Sequence, residues 1–383
     1  MKFVIVGTAY PLRGGIAHYV SLLYQALRER GHEVLVVTFS RQYPKILFPG
    51  TSQEEKGDAG MPIPSEAIID SINPLTWRAA GKRIADFEPD AVIFKFWLPF
   101  FAPAYGMIAR VAKKQLRKRG KDTKIVFIAD NVIPHEKRFG DRAATNYAFK
   151  AVDHFIVQSS AVERDLKTVK ADARYTKLAH PIYNIFGNAI PRSEARKKLG
   201  LADDAQVLLF FGFIRKYKGL DIAIAAMPEI LKKYPKAMLI AAGESYTGDE
   251  EYRSQITQLG LGDHVKLYTD YIANDMVKDY FSAANAAVLP YRSATQSGIV
   301  QIAYNFDTPV IATNVGGLAE VVIDGVSGLI AQEATPEAIA RCVLAYFTAG
   351  LEEPLREGVR QEKKKYSWET FAEGVEMITL SVA

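Results

Sequence analysis

The chain alternates short apolar runs with longer stretches of helical periodicity, and it does so twice. Residues 2–7 (Lys-Phe-Val-Ile-Val-Gly) form an apolar run of strand length, after which Gly14-Gly15 opens a helix. There Ile16, Tyr19, Leu23 and Leu27 recur at spacings of three and four, which is one face of a helix. Gly31 closes it, and Glu33 to Phe39 is the next strand. Further strands are predicted at 91–96, 124–129 and 154–158, separated by helical stretches. Alternating strand and helix predicts a parallel, doubly wound sheet. Residues 41–66, with four prolines and three glycines, have no periodicity and read as an insertion. The pattern restarts after Pro181 and a helix from Arg192 to Leu199. Strands are predicted at 206–212, 237–243, 265–268, 286–290 and 309–313, with helices near 219–232, 249–259, 274–283 and 297–306.

The fold class expected is therefore α/β, with two Rossmann-like, doubly wound parallel-sheet domains facing across a cleft. The domains run over 1–183 and 184–366, joined through the stretch 182–191. The segment 367–383 is a C-terminal helix, from Trp368 to about Leu380, that crosses back to the first domain. Ligands of such sheets sit outside the carboxyl ends of the strands.

Composition narrows the class. At 383 residues the chain exceeds one ordinary core, and 49% hydrophobic with 24% charged residues excludes bulk disorder and fibrous architectures. The most apolar stretch, Ile93 to Val111, is interrupted by Lys95, two prolines and Arg110, so it does not read as a membrane span. A single cysteine, Cys342, excludes an intramolecular disulfide and a cysteine-built metal site. The N-terminus enters a strand directly, so a cytoplasmic protein is expected. Charge is uneven: residues 1–183 hold 28 Lys and Arg against 18 Asp and Glu, while the remainder is net acidic. The basic half either meets an anionic partner or presents a solvated surface.

Four loops carry candidate chemistry. At Gly14, Gly15 and Ile16, two glycines at a strand-to-helix junction allow either close approach of an anion to the helix start or simply a tight turn. The stretch Phe210 to Gly219 follows a strand and precedes a helix. Beyond Gly212, Arg215 offers a bidentate fork and Lys218 a compact charge for a diphosphate, and a solvated charged loop is the alternative. In Pro290 to Val300, Thr295, Gln296 and Ser297 present hydroxyl and amide groups. The N–H groups of Ser297, Gly298 and Ile299 are expected as open helix-start donors, with Ser297 also a candidate N-cap. In the first domain, Asp130, Asn131, His135 and Glu136 supply polar and titratable groups at a strand end; Asp130, Asn131 and His135 are the candidate catalytic residues, His135 in either a direct or a structural role. No Asp-x-Asp occurs, so phosphate neutralisation by Arg, Lys and helix ends is expected, without a metal.

Together these segments resemble the retaining glycosyltransferase family 4 with the GT-B fold, over nearly the whole chain. Gly14-Gly15-Ile16 is similar to its N-terminal glycine loop, and Gly212 to Gly219 to its Gly-Arg-x-x-x-x-Lys-Gly signature. Pro309 to Leu329 (Pro-Val-Ile-Ala-Thr-Asn-Val-Gly-Gly-Leu-Ala-Glu-Val-Val-Ile-Asp-Gly-Val-Ser-Gly-Leu) is the strongest match. The resemblance implies a nucleoside-diphosphate-sugar donor in the C-terminal half and an acceptor in the N-terminal half. It implies front-face transfer with retention and no dissociable metal or other cofactor. Three departures stand out. Phe213 occupies the signature arginine position, leaving Arg215 to substitute. The family's Glu-x7-Glu pair falls on Thr295 and Ala303, which marks a variant subgroup. The family histidine aligns with Asp130.

The partners expected are a nucleotide sugar, a saccharide or lipid-linked acceptor, and no nucleic acid. The basic cluster Lys113, Lys114, Arg117, Lys118, Arg119 and Lys121, after the aromatic run Phe96 to Phe101, predicts either peripheral contact with an anionic membrane or a buried strand end plus a solvated helix face. Two further readings are a non-catalytic nucleotide-sugar-binding partner, motivated by the missing glutamates, and a sugar-nucleotide epimerase of the same fold. A nicotinamide dehydrogenase is weakest, because neither domain start has the glycine fingerprint.

Overall fold

A computed structural model describes residues 1–44, 53–54, 61–134, 138–245 and 248–381. The chain divides into two compact units, Met1–Pro181 with Ser367–Ala383, and Ile182–Tyr366.

The first unit is built on strands β1 (Lys2–Val6), β2 (Glu33–Arg41), β3 (Glu66–Asp70), β4 (Ala91–Phe96), β5 (Lys124–Ala129), β6 (His154–Val157) and β7 (Tyr175–Lys177). All pair in parallel, in the order β3-β2-β1-β4-β5-β6-β7. Its helices are α1 (Gly15–Glu29), α2 (Pro74–Phe87), α3 (Ala102–Lys118), α4 (Asp141–Phe149) and α5 (Ser160–Val169). The central strands are buried along nearly their whole length because helices cover both faces of the sheet.

The second unit contains β8 (Gln206–Phe211), β9 (Ala237–Ala242), β10 (Val265–Tyr268), β11 (Ala286–Leu289), β12 (Val310–Thr313) and β13 (Gly328–Ala331), all parallel, in the order β10-β9-β8-β11-β12-β13. Around them lie α6 (Arg192–Lys198), α7 (Leu220–Lys233), α8 (Glu250–Gln258), α9 (Val277–Ala283), α10 (Gly298–Asn305), α11 (Leu318–Val321), α12 (Pro336–Thr348) and α13 (Glu352–Glu362). Finally α14 (Trp368–Leu380) belongs to the first unit.

Three strands escape the sequence pattern: β3, β7 and β13. Each is an edge strand of three to five residues, too short and too polar or glycine-bearing for an apolar run to declare it. The stretch read as an insertion over 41–66 accordingly gives its last residue, Glu66, to β3; its residues 45–52 and 55–60 lie outside the described residues.

The aromatic run after β4 is part of the core. Phe96 and Phe101 are fully buried, and Trp97, Leu98 and Phe100 pack against the same cluster. Of the basic residues that follow, Lys113 pairs with Asp153, Arg119 with Asp86 and Glu88, and Lys121 with Asp90. Among the described residues, no helix is long and apolar enough to cross a membrane.

α14 closes over α1. The Tyr19 ring meets Trp368 edge-on at 5.0 Å and Phe371 at 5.9 Å. Leu178 packs so closely on Gly374 that a Cβ there would come within 2.7 Å of it. At the far end, Glu376 accepts hydrogen bonds from Arg30 and, at 2.6 Å, from His32. The Arg30 guanidinium, and after it the His32 ring, holds the Glu376 carboxyl down to about 2, against the effect of burial. A carboxyl lowered in the folded state stabilises above its unfolded value, here 4.5, and that stability is lost as pH falls through the folded value. Wild type should therefore melt higher than Glu376→Gln at pH 6, and the gap in Tm should close between pH 4.5 and pH 2. A gap independent of pH over that range would show the contact to be uncoupled from stability.

Candidate active site

In the second unit, four loops meet at the carboxyl ends of β8, β9, β11 and β12, and glycine lets their backbones touch. Gly212, at φ +89°, donates its N–H to Ala242 O at 2.9 Å. A Cβ on Gly243 would lie 2.4 Å from Gly212 O, and one on Gly212 would lie 2.8 Å from the Ile299 side chain. After Ile214 the chain makes a single 3-10 turn, Lys216–Lys218, and Gly219 enters α7 through the left-handed region. That turn is clasped by the loop after β11. The Arg292 N–H bonds Tyr217 O at 2.7 Å, while its guanidinium reaches Lys216 O at 2.9 Å and Asp221 at 2.8 Å. At β12, Thr313 donates to Tyr291 O at 2.6 Å, and a Cβ on Gly316 would fall 1.5 Å from Ala294 O.

Lys218 is held inside this junction at 9% exposure. Among the described residues its ammonium has no carboxylate partner; it sits 5.7 Å from the centre of the Tyr291 ring. Burial, and then the nearby positive charge of Arg215, pushes its pKa down to about 8. Arg215 is half-buried and precedes the turn, whereas Phe213 points outward at 38% exposure.

Thr295 is buried, and Gln296, Ser297, Gly298 and Ile299 are half-buried at the start of α10. Ser297 is its N-cap, and its Oγ accepts from Ile299 N at 3.3 Å. The Ile299 N–H expected as an open donor is thus already engaged, because the cap residue's own hydroxyl reaches it. Gly298 lies against Tyr183, where a Cβ would approach the ring to 3.0 Å.

The first unit brings a different set together. Asp130 follows β5, and its carboxylate accepts from Lys95 Nζ at 2.6 Å. Lys95 is 2% exposed, lies 3.5 Å from the centre of the Tyr19 ring and reaches Gln158 Oε1 at 3.4 Å. Gln158 in turn donates to Tyr19 Oη at 3.0 Å. Burial lowers the pKa of Lys95, and Asp130 opposes that shift. His180, edge-on to Tyr19, is driven down to about 3 by burial and by the charge of Lys95, so it is neutral near pH 7. Asn131 is half-buried beside Asp130, and His135 lies outside the described residues. Gly14, at φ +108°, is the N-cap of α1, with Gly15 and Ile16 opening that helix. These three belong to the first unit, not to the one that holds Arg215 and Lys218. Among the described residues no cluster of three or more His, Cys, Asp or Glu is arranged to hold a metal.

Residues 14–178 match the Glycosyl transferase 4-like domain, and residues 191–366 match Glycosyl transferases group 1. The D-inositol 3-phosphate glycosyltransferase of Acidothermus cellulolyticus is 30% identical over 94% of this chain and 84% of that one. This chain belongs to glycosyltransferase family 4. The corresponding enzyme of Streptomyces scabiei is also 30% identical, over 58% of this chain and 52% of that one. Among solved structures, Anabaena Alr3699/HepE in complex with UDP superposes with a TM-score of 0.76 at 18% identity, each chain covered in full. Sucrose-phosphate synthase of Thermosynechococcus elongatus does so at 0.74 and 19%, over 99% of this chain and 98% of that one. The fold is GT-B.

Sequence reasoning missed the Lys95 cluster of this glycosyltransferase, although a signal was present. A lysine inside the apolar run of a central parallel strand has no water to face and requires a partner. Removing one member of a buried pair leaves the other charge uncompensated, at a cost of about 3–5 kcal/mol. Lys95→Met should lose that much in urea unfolding. The double variant Lys95→Met with Asp130→Leu should regain most of it. A double variant as unstable as the single one would show that the pairing is not what holds this region.

Proposed function

We propose that the protein transfers a sugar from a nucleoside-diphosphate sugar to a saccharide or lipid-linked acceptor, with retention of anomeric configuration and without a metal. The observation that carries this reading is Lys218, a buried ammonium with no carboxylate partner among the described residues, beside Arg215 and the loop starts of the second unit. Such a cation is costly to hold and is repaid by an anion that enters the site. A diphosphate supplies that anion, and UDP complexes of the Anabaena relative support the same donor class. Arg215, Lys218 and the backbone around Gly212 and Gly298 would hold the diphosphate, with Thr295, Gln296, Ser297 and Ile299 lining the sugar side.

In the proposed step the donor's anomeric C–O bond breaks as the acceptor oxygen bonds the same carbon on the same face. The acceptor's proton passes to the departing phosphate oxygen. Charge that grows on the diphosphate is met by fixed cations, which is how the site would lower the barrier without a metal. Asp130, Asn131 and His135 are proposed to orient the acceptor hydroxyl and the donor sugar, and Gly14, Gly15 and Ile16 to lie along the donor's path. The Lys95 ion pair fixes one oxygen of Asp130, leaving the carboxylate as a hydrogen-bond acceptor instead of a mobile base.

Three outcomes test this. In calorimetry, Lys218→Ala or Arg215→Ala should weaken nucleoside-diphosphate binding by about 1.5–3 kcal/mol each; unchanged affinity in both would refute the assignment. Only protonated Lys218 attracts the diphosphate, so wild-type affinity should be full below pH 8 and fall above it, a dependence that Lys218→Ala should lack. NMR of the product should show the donor's anomeric configuration, formed equally well with a chelator present. Tight donor binding without transfer to any acceptor would instead favour a non-catalytic partner, in line with Thr295 and Ala303 in place of carboxylates.

A further inference from the structure

The two loops that carry the proposed donor groups are tied together by an ion pair. Lys218 ends the 3-10 turn Lys216–Lys218, while Thr295 to Gly298 stand on the loop between β11 and α10. Arg292, near the start of that second loop, reaches across to the first. Its guanidinium donates to Lys216 O at 2.9 Å and, through two nitrogens, to both carboxylate oxygens of Asp221. Its backbone N–H adds Tyr217 O at 2.7 Å. Asp221 lies in the first turn of α7, three residues after Lys218, and its carbonyl accepts from Gln255 of α8 at 2.9 Å. The fork therefore spans the turn from its first residue to the helix that follows it. Burial works to raise the Asp221 carboxyl, yet the Arg292 fork holds it below its usual range, so the pair is ionised. With side chains 40% and 31% exposed, the pair adds little to global stability. What a bidentate fork does supply is fixed geometry.

We propose that Arg292 and Asp221 are positioning residues of the donor site: without touching the ligand, the pair sets where the Lys218 ammonium stands relative to Thr295, Gln296, Ser297 and Gly298. The inference rests on the donor reading given above and adds a sign that charge alone does not give. Removing the Asp221 charge makes the site more positive, which by itself would tighten an anion; a released turn weakens it instead. The pH dependence separates the two in the same way. Burial keeps the Lys218 pKa low, so a turn that lets water reach the ammonium raises it from about 8 towards the ordinary lysine value. The charged and titratable groups of the two loops are Arg215, Lys216, Tyr217, Asp221, Tyr291 and Arg292. Among these, loss of the Asp221 charge would on its own move Lys218 down, the opposite direction.

The test titrates UDP by calorimetry into the full chain and into Arg292→Met, Arg292→Lys, Asp221→Asn and Lys218→Ala. At pH 7 Arg292→Met and Asp221→Asn should each bind about three- to tenfold more weakly, with little change in Tm. Arg292→Lys keeps the charge but has no planar fork for Lys216 O and both Asp221 oxygens, so it should stay weak. In Asp221→Asn the pH above which affinity falls should move upward from the wild-type value. If Lys218→Ala binds UDP as wild type does, the donor reading has failed and this inference falls with it. If Lys218→Ala weakens binding while Asp221→Asn binds as tightly as wild type or its pH profile does not move upward, the donor reading stands and the positioning role is overturned. Recovery of wild-type affinity by Arg292→Lys overturns it as well.

Discussion

A cation taken out of water must be met by negative charge, and each unit of this chain buries one beside the carboxyl ends of its strands. In the first unit Lys95 finds its counter-charge within the fold, in Asp130 at 2.6 Å, and spreads the remainder over the Tyr19 ring and Gln158. In the second, Lys218 is supplied with no carboxylate among the described residues. The two lysines share a physical problem and solve it differently. The Lys95 pair ties a sheet end together, while Lys218 keeps a charge that the proposed diphosphate would complete.

The glycines of the second unit serve that incomplete site. Gly212, Gly219, Gly243 and Gly316 each stand where a Cβ would collide with a neighbouring loop, three of them against a carbonyl oxygen. The loops interlock by backbone contact, with Arg292 and Thr313 as side-chain ties. A site of this construction is positioned before any ligand arrives, so binding energy need not go into ordering it.

Central strands were legible because burial on both faces demands continuous apolar runs, as in Val-Leu-Leu-Phe-Phe of β8. Three of the four edge strands were not: Tyr-Thr-Lys of β7 has neighbours on one side only and needs no such run. Lys218 was legible through its place after a strand and before a helix. Lys95 and Asp130 stand 35 positions apart, and only the pairing of β4 with β5 brings them together. The ion-pair partners of the basic stretch at the end of α3 were hidden for the same reason, since Asp86, Glu88, Asp90 and Asp153 reach it from distant segments. Local chemistry can be read locally; the counter-charges are set by topology.

The placement of α14 has a consequence for how the protein is made. The sheet of the first unit is complete in sequence by Lys177, yet the helix that covers Tyr19 and the rest of that face of α1 begins at Trp368. At a synthesis rate of about 5–20 residues per second, roughly 10–40 s separate the two on the ribosome. Throughout that interval the nascent first unit shows an aromatic seam to solvent while the whole second unit is being translated. α14 is therefore a late seal on a sheet translated well before it, and the unsealed seam is a surface for chaperones to shield.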